Sequence, residues 1–225
     1  LLVHNVDSLQ RNIGLIRADE AYTNSDILLF VETQAFEGPE VAVPGFALAA
    51  HSFLRTPLRG SGAACFLRSD MCSSITAQIS ESVTAGNGRI SIAGVVLRGQ
   101  AIIVGVYISP QCSMTGALDL LRQVLVEHSE AEVVIIAGDF NARFGHINDN
   151  STAASASNIH RAQEVYEFMD RFELAHQLPT NIPTTMHGTT IDTILANIPF
   201  SSSGRYFCPS PSVHFPLWGQ FALPL

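Results

Sequence analysis

Residues 132–143 read Glu-Val-Val-Ile-Ile-Ala-Gly-Asp-Phe-Asn-Ala-Arg. Val133 to Ala137 is a continuous apolar run rich in β-branched residues, and Gly138 stops it. Such a run suits a strand buried on both faces, which requires a layer of structure on each side of its sheet. A strand that ends in Gly-Asp-Phe-Asn delivers a carboxylate, Asp139, and a carboxamide, Asn141, to one edge of that sheet. Side chains alternate along an extended chain, so Asp139 and Asn141 are expected to point one way while Phe140 turns back to the core. The same Asp-x-Asn is also the pattern of an Asx-rich turn after a strand. This stretch therefore predicts a buried strand and leaves its chemistry to the rest of the chain.

The rest is long and apolar enough to bury such a strand. The 225 residues suit one large domain or two small ones, and 47% hydrophobic against 14% charged residues excludes a disordered chain. The net charge is −8, from 20 acidic and 12 basic residues, and every basic residue is Arg. An acidic total argues against non-specific nucleic-acid binding, which needs phosphate neutralisation, but is compatible with a local Arg patch over an acidic metal site. Cys65, Cys72, Cys112 and Cys208 form no C-x-x-C pair, which excludes a zinc ribbon or a dense disulfide framework. They read as buried thiols of a reducing, intracellular compartment. No run has the length of a membrane span and no signal peptide is visible. The chain opens inside a strand pattern and ends shortly after another, as a single domain (1–225) cut from a longer polyprotein would.

Taken in order, the pattern begins with a strand at Leu1 to Val3. A helix capped by Ser8 follows, running to about Ala21, with Leu9, Ile13 and Ile16 on one face. A second buried strand, Ile27 to Val31, ends in Glu32-Thr33, completing a βαβ-like opening. Strands are expected at 46–51, 63–67, 75–79, 89–97 and 101–108, joined by short turns that suggest antiparallel pairing. Ala117 to His128 is an amphipathic helix with Leu118, Leu121, Val124 and Leu125 inward. Residues 146–157 are small and polar and read as a surface excursion. Ile159 to Leu174 is a helix with Ala162, Val165, Tyr166, Met169 and Phe172 inward. Strands follow at Thr189 to Ala196 and at Leu217 to Leu223. Strands and helices alternate in both halves, which predicts an α/β architecture of two packed sheets with helices outside.

Five strand tips carry polar residues: Asn5 and Asp7; Glu32; Tyr107; Asp139 and Asn141; and Asp192 with His214. The motifs are His-Asn-Val-Asp-Ser-Leu at 4–9, Leu-Phe-Val-Glu-Thr at 29–33, Tyr-Ile-Ser-Pro at 107–110 and Gly-Asp-Phe-Asn-Ala-Arg at 138–143. Thr-Ile-Asp-Thr-Ile at 190–194 and Ser-Val-His-Phe-Pro-Leu at 212–217 complete the set. Their order and approximate spacing resemble the endonuclease/exonuclease/phosphatase superfamily, in its apurinic-endonuclease-like branch, from one end of the chain to the other. The Ala-Gly-Asp-Phe-Asn-Ala-Arg and Gly-Thr-Thr-Ile-Asp-Thr-Ile-Leu-Ala-Asn runs look most like endonuclease domains of mobile elements, non-LTR retrotransposons first and helicase-linked transposons second.

The resemblance implies a four-layer α/β sandwich, two packed mixed β-sheets flanked by helices. It also implies Mg²⁺-dependent hydrolysis of a phosphodiester, with Mn²⁺ as a substitute. Mg²⁺ takes oxygen ligands and keeps several waters, so Glu32 is the first candidate ligand, assisted by Asp7 and by Asn5. Asp139 would orient or deprotonate the attacking water and Asn141 would hold the phosphate or the water. His214 would face Asp139 and donate to a phosphate oxygen, with Asp192 fixing its tautomer and keeping it protonated. The base is either Asp139 or His214. Tyr107 would hydrogen-bond the phosphate. Arg55, Arg59, Arg143 and Arg205 fall in predicted loops and are candidate backbone-phosphate contacts, although a solvated loop is the ordinary place for an arginine. The other histidines show no metal-ligand spacing.

The last motif departs from the family pattern, which carries Ser-Asp-His where this chain has Ser212-Val213-His214. Val213 removes a charge and an oxygen ligand that resemblance places beside the metal, a loss comparable to an outer-shell change of roughly 10–100-fold in affinity or activity. Three functions follow as expectations. The first is an endonuclease that nicks double-stranded target DNA for insertion, within a reverse-transcriptase-containing polyprotein. The second is a phosphatase or phosphodiesterase of the same superfamily on another substrate. The third is a catalytically weakened domain kept for binding.

Overall fold

The computed structural model describes residues 1–35, 41–53, 60–85, 87–146, 156–208 and 211–223. The first half runs β1 (Leu2–Asn5), α1 (Leu9–Ala18), α2 (Glu20–Thr23), β2 (Ile27–Val31), β3 (Phe46–His51) and β4 (Ala63–Arg68). A 3₁₀ turn at Ser69–Ser74 leads to β5 (Ile75–Ala85), β6 (Gly88–Leu97) and β7 (Ala101–Ile108). Then come α3 (Met114–Glu127), β8 (Val133–Asp139), a 3₁₀ turn at Phe144–His146 and α4 (Ala156–Arg171). The chain closes with β9 (Ala175–His176), β10 (Asp192–Ala196), β11 (Ser202–Arg205) and β12 (Leu217–Gln220).

The strands form two mixed six-stranded sheets, ordered β11-β12-β1-β2-β4-β3 and β5-β6-β7-β8-β10-β9. Period-2 alternation assigns each strand's side chains to one of three apolar layers. Val3, Leu29, Cys65, Val95, Ile103 and Ile135 meet between the sheets. Their neighbours Leu2, Leu28, Phe30 and Phe66 face outward against Leu9 and Ile16 of α1 and Tyr22 of α2. Ile102, Val104 and Ile136 face α3 and α4 on the far side, against Leu121, Val165 and Phe168. Helix, sheet, sheet and helix thus make the four-layer sandwich that the resemblance implies. No helix among the described residues is long and apolar enough to cross a membrane.

Several local expectations change. The first strand reaches Asn5, so Asn5 is fixed by pairing with Val31. The first helix stops at Ala18, because Asp19 is extended and its carboxylate caps the short α2 through the Ala21 N–H. Ser8 makes no side-chain cap. The N–H groups of Ser8 and Leu9 are taken instead by the carbonyls of Glu32 and Thr33, a tertiary substitute that ties the helix start to the β2 tip. Helix α3 starts three residues earlier than expected, capped by Ser113, whose hydroxyl accepts from the Gly116 N–H. Strand β5 is longer than its pattern suggests, and β9 and β11 were not legible at all. Cys65 and Cys112 are buried, whereas Cys72 and Cys208 are half-buried, and all four are free thiols. Most of the polar stretch 146–157, and both Arg55 and Arg59, lie outside the described residues.

Candidate active site

Strand register gathers the polar tips. In the second sheet, β7 runs parallel to β8 with Tyr107 beside Asp139, and β10 runs antiparallel with Asp192 on the other side of Asp139. In the first sheet, β1 and β2 run parallel and end together at Asn5 and Val31, so that Glu32 follows immediately. His214 lies before β12 and is held by a bridge to Thr185. These tips share one end of the sandwich. Gly138 makes the close approach possible: its φ is +147°, and a Cβ there would sit 2.0 Å from the Val106 carbonyl oxygen.

The side chains connect across the two sheets. The Asn5 amide donates to Glu32 Oε2 at 3.0 Å and to Asp139 Oδ2 at 2.9 Å, bridging the two carboxylates. His214 Nδ1 meets Asp192 Oδ2 at 2.9 Å, which leaves Nε2 3.9 Å from Asp139 Oδ2. Asp192 is fixed in turn by the Thr184 hydroxyl at 2.8 Å. The Ser212 hydroxyl donates to the Asn5 carbonyl and accepts from the His214 N–H, pinning the last motif to the first. A Cβ on Gly60 would lie 3.2 Å from the Tyr107 hydroxyl and 3.7 Å from Glu32 Oε1, so the missing side chain leaves space where these two groups meet.

Burial sets the protonation states. Asp139 is 2% exposed. Burial, and then the Asp192 carboxylate, push Asp139 up to about 7, against the pull of His214 and two amide donors. Burial alone would lower His214, but Asp192 beside it, with Asp139 and Glu32, raises it to about 10. Burial, with Glu32, Asp139 and Asp7 nearby, raises the Tyr107 phenol and keeps it a donor. A carboxyl poised near neutrality beside a held imidazolium is an arrangement that can exchange a proton with a substrate.

The donor set fits a divalent cation. One ligand atom each of Glu32, Asp139 and His214 lie within 4.8 Å of one another. The two carboxylates suit Mg²⁺ or Mn²⁺, whereas His214, held protonated beside Asp192, has no free lone pair to offer the cation. Asp7 is not in this group. Its carboxylate accepts from the Gln34 amide at 2.7 Å and lies 3.9 Å from Arg11, at φ +41°.

Two further expectations are corrected. The strand stops at Asp139 and Asn141 has φ +48°, so the alternation rule does not reach Asn141. Its amide donates to the Ile108 carbonyl at 3.0 Å, while its N–H donates to Asp139 Oδ1 at 2.8 Å. The Asx turn and the site are therefore the same structure. Arg205 lies on β11, not in a loop. Its guanidinium sits 4.3 Å from the Phe207 ring centre and 4.7 Å from that of Phe215, and donates to the Pro183 carbonyl. Arg143 is half-buried just after β8.

Sequence reasoning missed His4 and Arg161. His4 Nε2 donates to the His214 carbonyl at 3.1 Å, because a carbonyl only accepts, and its Nδ1 therefore accepts from Tyr22. Burial lowers His4 to about 3, so it stays neutral. Arg161 is 8% exposed and sits on the apolar stripe with Val165 and Phe168. That i, i+4, i+7 spacing was the available signal.

Buried acids thus meet an imidazole across two stacked sheets, and the family match makes the chain a phosphodiester hydrolase of the endonuclease/exonuclease/phosphatase superfamily. Residues 101–216, just over half of the chain, match the family described as endonuclease-reverse transcriptase, and the protein belongs to that family. Over its length the chain is similar in fold to a 3'-5' exonuclease (NExo) from Neisseria meningitidis, with 16% identity, a TM-score of 0.73 and 99% of each chain covered. It is similar to an AP endonuclease from Archaeoglobus fulgidus, with 15% identity, a TM-score of 0.60 and 99% and 98% of the two chains covered. The endonuclease domain of TRAS1, a telomere-specific non-LTR retrotransposon, shows 15% identity, a TM-score of 0.62 and 96% and 94% coverage. No curated protein sequence matches.

Proposed function

We propose that the protein is a Mg²⁺- or Mn²⁺-dependent endonuclease that nicks double-stranded DNA for insertion of a mobile element, as one domain of a reverse-transcriptase-containing polyprotein. The observation that carries this reading is the meeting of Glu32, Asp139 and His214 within 4.8 Å at one rim. The family's description and the likeness to the TRAS1 domain favour a mobile-element role over another phosphodiesterase.

A bound divalent cation supplies charge neutralisation at the phosphate, and Glu32 with Asp139 are the residues to hold it. The chain's own groups do the rest. Asp139, whose Oδ2 lies 3.9 Å from His214 Nε2, accepts a proton from the attacking water. His214, kept protonated by Asp192, presents Nε2 to a phosphate oxygen. Tyr107 adds a neutral donor and Asn5 keeps the two carboxylates in register. Arg205, with the 65% exposed Phe207 beside it, and Arg143 are the described arginines that would meet DNA near this rim.

The test is nicking of supercoiled plasmid with Mg²⁺ and mapped cut ends, with chelator, Glu32→Ala and His214→Ala as controls. Activity should vanish in all three. Nicking that survives both substitutions ends the proposal, and turnover of a small phosphate ester without DNA cleavage moves it to a different substrate.

A further inference from the structure

Arg161 is a buried cation with an unusual set of partners. Its Nε donates to the Asn141 carbonyl at 2.9 Å and its Nη1 to the Cys112 carbonyl at 2.6 Å. Its Nη2 reaches the carbonyls of Phe140 at 3.1 Å and Ser109 at 3.4 Å. Four backbone oxygens from two loops thus converge on one planar fork, the arrangement that guanidinium geometry serves and an ammonium does not. Burying a guanidinium costs free energy that carbonyl partners only partly offset. A side chain kept only to fill space under α4 would be apolar, as Ala162, Val165 and Phe168 around it are.

What those carbonyls share is their position. Ser109 and Cys112 belong to the turn that leaves β7 just after Tyr107, and Phe140 and Asn141 follow Asp139 directly. Asn141 joins the same two tips through its amide on the Ile108 carbonyl. We propose that Arg161 is a positioning residue, which clamps the β7 and β8 tips so that Tyr107 and Asp139 stand at the distance the reaction needs. This rests on reading the rim as the phosphodiester-cleaving site. It acts through the backbone and touches no reacting atom.

The experiment compares wild type, Arg161→Ala, Arg161→Lys and the surface control Arg122→Ala in plasmid nicking and in Mn²⁺ titration without DNA, with the folded fraction followed by circular dichroism. Per folded molecule, Arg161→Ala should lose roughly 10–100-fold in kcat, as outer-shell changes do, with KM little changed. Added guanidinium should return part of the loss, Arg161→Lys should recover only part, and Arg122→Ala should match wild type. A folded Arg161→Ala enzyme with wild-type kcat overturns the proposal. So does a loss wholly accounted for by unfolded protein. If the Ala variant does not fold, the Lys variant is judged by the same criteria. If wild type cleaves no DNA, the functional reading fails separately and the Mn²⁺ titration decides. Binding weakened about tenfold in folded Arg161→Ala supports the clamp, and equal binding removes it.

Discussion

The two ends of the sandwich are made by the same strands and have opposite characters. At the far end, where β2 and β7 begin and β6 and β12 finish, a cavity of about 510 Å³ is lined by Leu1, Met71, Leu97, Arg98 and Phe221 among others. The ion pairs at its edge are solvated: Arg68 lies 3.7 Å from the lining residue Asp26 and 3.9 Å from Asp70, with side chains 40%, 65% and 77% exposed. Such pairs are screened and contribute little. At the near end Asp139 and Asp192 are 2% and 5% exposed, and each is hydrogen-bonded. A concavity beside solvated ion pairs marks the first end, and buried carboxylates with hydrogen-bonded partners mark the second. Chemistry follows the second, because there two groups with raised proton affinities, Asp139 and His214, face each other across 3.9 Å.

The largest effect should separate the ends outright. Asp139→Ala or His214→Ala removes acid–base help worth roughly 10²–10⁴ in rate. Arg98→Ala at the far end should leave nicking unchanged. Equal losses at both ends would break the comparison. A smaller step concerns the departure from the family motif. Val213 is 39% exposed beside His214. Val213→Asp adds an oxygen ligand and should tighten Mn²⁺ binding roughly 10–100-fold, measured by titration. No gain would mean that position 213 does not face the cation pocket.

The sequence showed the layers and the tips but not the connections between them. Apolar runs at 27–31 and 101–108 matched their strands at both ends, because fully buried strands carry an unmixed signal. The tips were legible because each polar residue follows such a run. Asn141 was placed by alternation, which fails once the backbone turns left-handed. Arg205 was assigned to a loop because Ser-Ser-Gly-Arg has no strand pattern, and β11 exists only through its pairing with β12. The partners of Arg161 and His4 are illegible for a different reason: both side chains donate to backbone carbonyls, which carry no residue code, although the place of Arg161 on an apolar stripe is visible.

The next prediction uses two half-buried histidines of opposite sense. His214 is raised to about 10, so its stabilising contribution is present below the ordinary 6.5 and is lost as pH climbs through about 10. His176 packs against Phe144 and Tyr166 and is lowered to about 4 by burial. It is neutral when folded and protonates when unfolded, so stability falls as pH drops from 6.5 towards 4. Denaturant unfolding of His176→Phe should lose less stability over that window than wild type, by up to about 1.4 kcal/mol per pH unit. Parallel curves would mean that His176 is not held neutral.

The smallest effect concerns the backbone itself. Of seven described non-glycine residues with positive φ, five (Asp7, Ser8, Glu32, Gln34 and Asn141) lie at the near end, and Arg98 lies at the far end. Glu32 has φ +53°, a conformation that costs an L-residue roughly 1–2 kcal/mol and glycine almost nothing. Glu32→Ala and Glu32→Gly should both abolish nicking, since each removes the carboxylate. They should differ in stability: the Gly variant should exceed the Ala variant by about 1 kcal/mol after glycine's larger unfolded-state entropy is subtracted. The same pair at Gln123, exposed inside α3, should show the reverse order by about 1 kcal/mol. If Glu32→Gly is no more stable than Glu32→Ala, no strain is stored at the metal-facing tip. The left-handed residues at this end would then reflect the path of the turns alone.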